Sequence, residues 1–202
     1  AGLPIKVAIA TSLLVVGVTA VFALIPHARR GHVNWKVGAL FSVTAMTGAY
    51  LGGLAAKWFE GETLLILFAI MMILTGVAML VKREPANRDS ARPMSVTLII
   101  AEGIAVGGIT GLVGAGGGFL VVPALVLIGG MNMHAAIGTS LMVIALKSFA
   151  AFAGHTVHVS VDYKLALVVM VCAVAGSIAG GFVAQRLQAK NLRSAFGVFV
   201  LM

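Results

Sequence analysis

The sequence predicts an all-α membrane protein, a polytopic transmembrane helical bundle of two inverted repeats with a re-entrant or broken helix. Three observations predict this fold: the composition, an internal repeat, and a glycine cluster inside an apolar run. Hydrophobic residues make up 60% of the 202 residues and charged residues only 10%, whereas a soluble domain carries about 25% charged residues. Since a span needs about 20 apolar residues, a chain of this length holds roughly six to eight spans.

Charge and cysteine content exclude several other classes of protein. The net charge is +8, but the basic residues flank apolar segments, where they orient helices in a membrane, so no nucleic acid is expected as a partner. The single cysteine, Cys172, lies inside an apolar run and provides neither a disulfide nor a cysteine metal site. The sequence shows no nucleophile-and-base pair and no acid pair at catalytic spacing, so we expect neither an enzyme nor a cofactor.

An internal repeat divides the chain. A shift of 128 residues aligns positions 3–68 with 131–196 without gaps, and 18 positions are identical, many of them polar residues or glycines. We therefore predict a first repeat over 1–82, a cytoplasmic linker loop over 83–93 and a second repeat over 94–202. In this register a first copy of the glycine cluster would precede residue 1 and the last helix stops short, so we expect both repeats to be truncated.

Each sufficiently long apolar run predicts one span, and the polar stretches 26–34 and 82–93 predict loops. Residues 119–128 are apolar but too short to cross as an ordinary helix, so they predict a half-helix or re-entrant segment. The predicted spans cover residues 5–25, 35–57, 63–81, 94–113, 134–154 and 162–185, and a truncated span follows.

The distribution of Lys and Arg predicts the orientation. If residues 119–133 carry the chain across the membrane, ten of the fourteen Lys and Arg residues share one face, which is the pattern of cytoplasmic loops. The matched loops 26–34 and 154–162 then lie on opposite sides, so the repeats are inverted. Inverted repeats with discontinuous helices are typical of secondary transporters, whose site lies near the midplane where the halves meet.

The glycine cluster is the first candidate site. Five glycines fall within the eight residues from Gly111 to Gly118, and such backbone survives at membrane depth only when it is buried or lines a cavity. Successive N–H groups beside the positive end of a half-helix can bind an oxyanion. Close helix packing is the alternative, and the absence of a preceding strand excludes a dinucleotide site. The candidate contacts are Gly114, Gly116, Gly117 and Gly118.

Two hydroxyl pairs, Thr11-Ser12 and Thr139-Ser140, occupy equivalent places in the repeats. Their hydroxyls can donate to an anion or bond back to a carbonyl of the preceding turn, and both hypotheses stay open. Six further glycines have the small-residue spacing of helix contacts: Gly48, Gly52, Gly53, Gly176, Gly180 and Gly181.

Three titratable residues complete the candidates. His27 and His155 are repeat equivalents at helix exits, where they could couple protons or serve as interfacial caps. Lys147 lies deep inside an apolar run, and an ionisable residue at such depth is a functional hypothesis. It is a candidate for substrate binding or gating, and a structural ion pair with Glu102 is compatible with that role.

Three stretches carry a resemblance to a known family: Gly111-Leu-Val-Gly-Ala-Gly-Gly-Gly-Phe-Leu-Val-Val-Pro-Ala-Leu, His134-Ala-Ala-Ile-Gly-Thr-Ser-Leu-Met-Val-Ile-Ala, and Gly154-His155. Nearly the whole chain resembles the sulfite exporter TauE/SafE family of membrane permeases. The resemblance implies a multi-pass protein of the inner cell membrane that moves sulfur-containing anions such as sulfite, thiosulfate or organosulfonates. Lys147 departs from the neutral polar residue, such as asparagine, that the family leads us to expect there.

The expected function is therefore that of a secondary membrane transporter, or permease, of small sulfur-containing anions, with the lipid bilayer as its surroundings. A channel-like or structural membrane component without coupled transport is the alternative. A homo-oligomer is compatible with the sequence, which leaves the substrate, the direction and the coupling ion open.

Overall fold

The computed structural model describes residues 5–81, 95–113, 118–156 and 163–201. Within these ranges the chain forms helices joined by short connections, as predicted for an all-α bundle. A 3₁₀ turn, Ala56–Trp58, follows the second helix. The helices are α1 (Ile5–Arg29), α2 (Trp35–Ala55), α3 (Gly61–Val81), α4 (Val96–Val113), α5 (Gly118–Leu127), α6 (Met133–Thr156), α7 (Tyr163–Arg186) and α8 (Ala189–Leu201).

Five of these helices are long and apolar enough to cross a membrane: α1, α2, α3, α6 and α7. The predicted multi-pass membrane protein is thereby confirmed. The apolar helix α4 has 18 residues, and α5 has only 10. At 1.5 Å per residue α5 is about 15 Å long, roughly half of the hydrocarbon core, so the prediction of a half-length helix after the glycine cluster is also confirmed.

The first helix extends further than predicted. We expected the loop to begin at Pro26, but α1 continues to Arg29 with the proline inside it. The helix is ended by Gly31, whose φ of +71° is a conformation that favours glycine. The N–H of His32 donates to the His27 carbonyl at 2.9 Å and that of Gly31 to the Ala28 carbonyl at 3.1 Å. This pair of bonds is a Schellman motif, which satisfies the last carbonyls of the helix.

The repeat equivalents α1 and α6 pack against each other in opposite directions. A Cβ built on Gly17 would lie 3.1 Å from the ring of Phe149, and one built on Gly138 would lie 3.1 Å from His27 Cβ. As α1 advances from 17 to 27, its contact on α6 therefore moves back from 149 to 138. An inverted repeat requires this antiparallel packing, although the inversion itself stays a prediction.

The main apolar core lies where α2, α3, α4, α5 and α6 meet. Its fully buried large side chains are Phe41, Met79, Val121, Leu125, Met133 and Val143. The short helix α5 contributes a nearly continuous buried run from 120 to 126, so it is held inside the bundle. Its burial places the end of the glycine cluster against α6 instead of lipid.

Candidate functional site

The hydroxyl pair at the start of α6 is buried at the junction with the α1–α2 loop. The Thr139 side chain is inaccessible to solvent, and its Oγ1 accepts a hydrogen bond from the Asn34 backbone N–H at 3.0 Å. Asn34 in turn caps α2, since its Oδ1 accepts from the Val37 N–H at 3.2 Å. Thr139 therefore fastens the loop to α6, and its own hydroxyl proton stays available to a second acceptor.

The two serines bond to their own helices. Ser140 Oγ donates to the Ile137 carbonyl at 2.8 Å, and Ser12 Oγ donates to the Ile9 carbonyl at 2.9 Å. The two repeats thus share this local bond, which is the back-bonding alternative for the pair. Thr11 differs from its repeat equivalent because its buried Oγ1 has no hydrogen-bond partner within the described ranges.

The glycine cluster is described only at its end. Gly114, Gly116 and Gly117 lie outside the described residues, while Gly118 is the first residue of α5. A Cβ built on Gly118 would lie 3.0 Å from Ile144 Cγ1. A larger residue at this position would therefore press on α6, so close packing is one role of this glycine.

Lys147 and Glu102 do not form the ion pair that was considered. Glu102 in α4 is only 4% exposed, and neither of its carboxylate oxygens has a hydrogen-bond partner among the described residues. Lys147 lies in the middle of α6 with its side chain half-buried. Burial of an ionised group without a partner costs free energy. Glu102 therefore needs a proton or a cation beside it, and Lys147 needs an anion.

The proton-coupling candidate His27 belongs to a cluster of three histidines. Its ring centroid lies 6.3 Å from that of His32 in the α1–α2 loop. The ring centroid of His32 lies 5.6 Å from that of His134 at the start of α6. His27 is 7% exposed, and its Nδ1 has no hydrogen-bond partner in the part of the chain that the structure describes. Within the described part of the chain, no three His, Cys, Asp or Glu residues have the geometry of a metal site. His155 lies in the last turn of α6.

Two features of this region went unnoticed in the sequence. The participation of His32 and His134 depends on contacts across about 100 residues of chain, although His134 stands inside one of the family-like stretches. The basic stretch 185–193 has the composition of a polar turn, but its last residue, Arg193, is a buried residue of α8. Its Nε donates to the Met79 carbonyl at 2.8 Å, and its Nη2 to the Ala78 carbonyl at 3.3 Å. Arg193 thus caps the last turn of α3, a use that its spacing did not reveal.

Comparison with known protein families gives a match over the whole chain. The model of the family described as sulfite exporter TauE/SafE matches residues 1–202. A probable membrane transporter protein of Xylella fastidiosa is 32% identical over 200 residues, which are 96% of this chain and 77% of the relative.

More distant relatives carry the same kind of description. The probable membrane transporter protein YunE of Bacillus subtilis is 28% identical over 93% of this chain and 75% of the relative. A probable membrane transporter protein of Methanocaldococcus jannaschii is 26% identical over 100% of this chain and 82% of the relative. No solved structure matches the chain. The family and these relatives make the chain a membrane transporter protein.

Proposed function

The chain belongs to the sulfite exporter TauE/SafE family, and on this premise we propose that it is a secondary transporter of a small sulfur-containing oxyanion. Sulfite, thiosulfate and organosulfonates are the candidate substrates. The anion would bind where the two predicted inverted repeats, 1–82 and 94–202, meet. The antiparallel contact of α1 with α6 supports this arrangement, since secondary transporters place their site at such a junction.

The observation that carries the proposal is the position of Lys147. Its ammonium group belongs to the middle of an apolar helix, and the buried acid Glu102 does not neutralise it by a hydrogen bond. A cation in a span is expensive unless it is paired or faces a pathway. A transported anion would supply that pairing each time it occupies the site.

Polar groups near α6 and α1 would complete the site. Thr139 already accepts a bond from the loop and keeps a hydroxyl proton to donate, and the buried hydroxyl of Thr11 has no partner. Ser140 and Ser12 could turn from their own helices toward the anion. The backbone of Gly114, Gly116, Gly117 and Gly118 would donate N–H groups to its oxygens. His27 and His155 would exchange the coupled protons.

A flux measurement tests this proposal. The full-length protein is reconstituted in liposomes, and uptake of radiolabelled sulfite, thiosulfate and a taurine-derived, anionic sulfonate is followed as a function of concentration. We expect saturable uptake of at least one of these anions. Lys147→Asn should lower the uptake rate at least about tenfold, since a charge-assisted contact is lost. Lys36→Asn, which removes an exposed cation at the start of α2, is the matched control and should leave uptake within about twofold.

Two results would overturn the proposal. If a folded wild-type protein moves none of the three anions, the assignment to sulfur-containing anions fails. A flux that rises linearly without saturation would instead favour the channel-like alternative. Equal uptake by wild type and Lys147→Asn would remove Lys147 from the site while leaving the transport activity in place.

A further inference from the structure

We propose that His27, His32 and His134 form a binding site for an oxyanion, and that this site takes up one proton together with each anion. The three residues, which we call the histidine cluster, lie at the end of the α1/α6 pair that carries Arg29 and Arg30. The chemical class of the anion rests on the proposed function. The coupling of anion to proton rests on the cluster itself.

The cluster is formed by three separate segments of the chain. His27 is supplied by the end of α1, His32 by the loop and His134 by the first turn of α6. The Schellman bond from the His32 N–H to the His27 carbonyl, 2.9 Å, fixes the first two relative to each other. The bond from Asn34 to Thr139, 3.0 Å, holds the loop against α6 and therefore beside His134. The imidazoles are brought together by backbone structure instead of by flexible side chains.

The buried Nδ1 of His27 points to a missing ligand. A neutral imidazole has one donor nitrogen and one acceptor nitrogen, and a buried nitrogen without a partner costs free energy. Binding of a proton makes both nitrogens donors. A second acceptor is then required close to His27, and an anion oxygen provides one that also carries the opposite charge.

Among the described residues, the segments around the cluster supply no acidic group that could neutralise a protonated imidazole. The sequence has no Asp or Glu over 1–59, 103–161 or 163–202, so α1, α2, α5, α6 and α7 supply no carboxylate. The charged and titratable groups that face His27 are His32, His134 and Arg30, all of them basic. Two imidazolium ions about 6 Å apart repel each other strongly where water is scarce. A second positive charge therefore becomes stable only when an anion enters.

The N-terminal end of α6 also favours the binding of an anion. The cluster lies at the N-terminal end of α6, a helix of 24 residues, where the helix dipole gives a partial positive charge. His134 belongs to the first turn of that helix. The N-terminal end of α6 is therefore an attractive position for an anion.

Thiosulfate is a suitable probe because it stays fully ionised between about pH 6 and 8, the range in which histidine titrates. Its binding to the full-length protein in lipid nanodiscs is measured by calorimetry in two buffers of different ionisation enthalpy, which counts the protons taken up. We expect about one proton per bound anion near neutral pH and about tenfold weaker binding at pH 8 than at pH 6, because the protonated cluster is the binding form.

Two variants test the cluster, and a third is the control. His32→Gln and His134→Gln should each weaken binding at pH 6 about tenfold, because a charge-assisted hydrogen bond is lost. Both side chains are only half-buried, and a thermal unfolding scan shows whether each variant is folded. Lys190→Gln removes an exposed cation of α8 and should leave affinity and proton uptake as in wild type.

The proposal is overturned if wild type fails to bind thiosulfate, binds it without proton uptake, or binds it as tightly at pH 8 as at pH 6. It is also overturned if either folded histidine variant behaves as wild type. The proposed function fails separately, since it depends on flux. Saturable flux without proton uptake on binding would keep the transporter and remove this site, while proton-linked binding without flux would do the reverse.

Discussion

Helices α2 and α7 match each other when the sequence is aligned with itself at a shift of 128 residues, but they have opposite surroundings. A Cβ built on Gly48 or Gly52 would collide with the backbone of α4, at Ile104 and Gly108. The repeat equivalents Gly176 and Gly180 on α7 have no atom within 4 Å of such a Cβ. Helix α2 is packed so closely on α4 that their backbones are in contact. The matching glycines of α7 have no neighbouring atoms among the described residues.

The difference shows what small-residue spacing does and does not predict. The spacing predicts that another helix can approach closely. Helix α2 confirms this prediction, and the helix that approaches it, α4, also has glycines at the contact. Gly107 faces the backbone of Ala45, and Gly111 faces that of Ala49. The expectation that Gly176, Gly180 and Gly181 are helix contacts is wrong for the described residues. A pattern on one helix does not identify the partner that completes the contact.

The largest effect should come from a bulky residue in α2, at the contact with α4. Gly52→Leu would push its side chain into the carbonyl of Gly108, and backbone cannot move aside, so the free energy of unfolding should fall by more than about 3 kcal/mol. The matched variant Gly180→Leu should change it by less than about 1 kcal/mol, because its Cβ meets nothing. Thermal unfolding in detergent, followed by tryptophan fluorescence, measures both. Equal losses in the two variants would mean that α7 is as closely covered as α2.

A smaller effect is expected from the two threonines. Thr139→Val removes the acceptor of the Asn34 N–H and should lower the free energy of unfolding by about 1 to 3 kcal/mol, since a donor is left unsatisfied. Thr11→Val removes a buried hydroxyl that has no partner, so it should be neutral or slightly stabilising. The same unfolding scan compares them. A destabilised Thr11→Val would show that this hydroxyl does have a partner in the membrane.

The smallest effect should be a gain in stability from a substitution in α7, on the face where the glycines have no neighbouring atoms. Gly176→Ala adds a methyl group where there is space and should stabilise α7 by about 0.5 to 1 kcal/mol, because glycine is a poorer helix former than alanine. Gly48→Ala, on the repeat-equivalent position, should destabilise instead. The sign of the change in unfolding temperature is the measurement. A loss for Gly176→Ala would place a close neighbour on this face.

Local patterns and distant contacts differed in how well the sequence predicted them. The spans, the half-length helix after Gly118 and the membrane location follow from apolar run length, which is a property of consecutive residues. The end of α1 was misplaced because proline was weighted above Gly31, the residue whose backbone conformation ends the helix. The histidine cluster and the bond from Asn34 to Thr139 join residues over 100 positions apart. No spacing rule within one segment could bring them together.

The same distinction applies to charge. The sequence places Glu102 and Lys147 inside apolar runs, and the structure buries Glu102 and half-buries Lys147. Whether they pair depends on how α4 and α6 are placed, and α4 packs on α2. Arg193 shows the converse, because a residue that resembled a surface cation bonds to the carbonyls of α3. The apolar runs of the sequence indicate which charged residues are costly to bury. Only the packing of the helices shows which groups lie beside them.

Cys172 lies on the open side of α7 and is exposed. It stands four and eight residues before Gly176 and Gly180, so all three share one helix face. Since it is the single cysteine of the chain, a fluorophore attached there would report on that face without any engineered site. Quenching of such a label by brominated acyl chains would record directly whether lipid or another helix lies beside it.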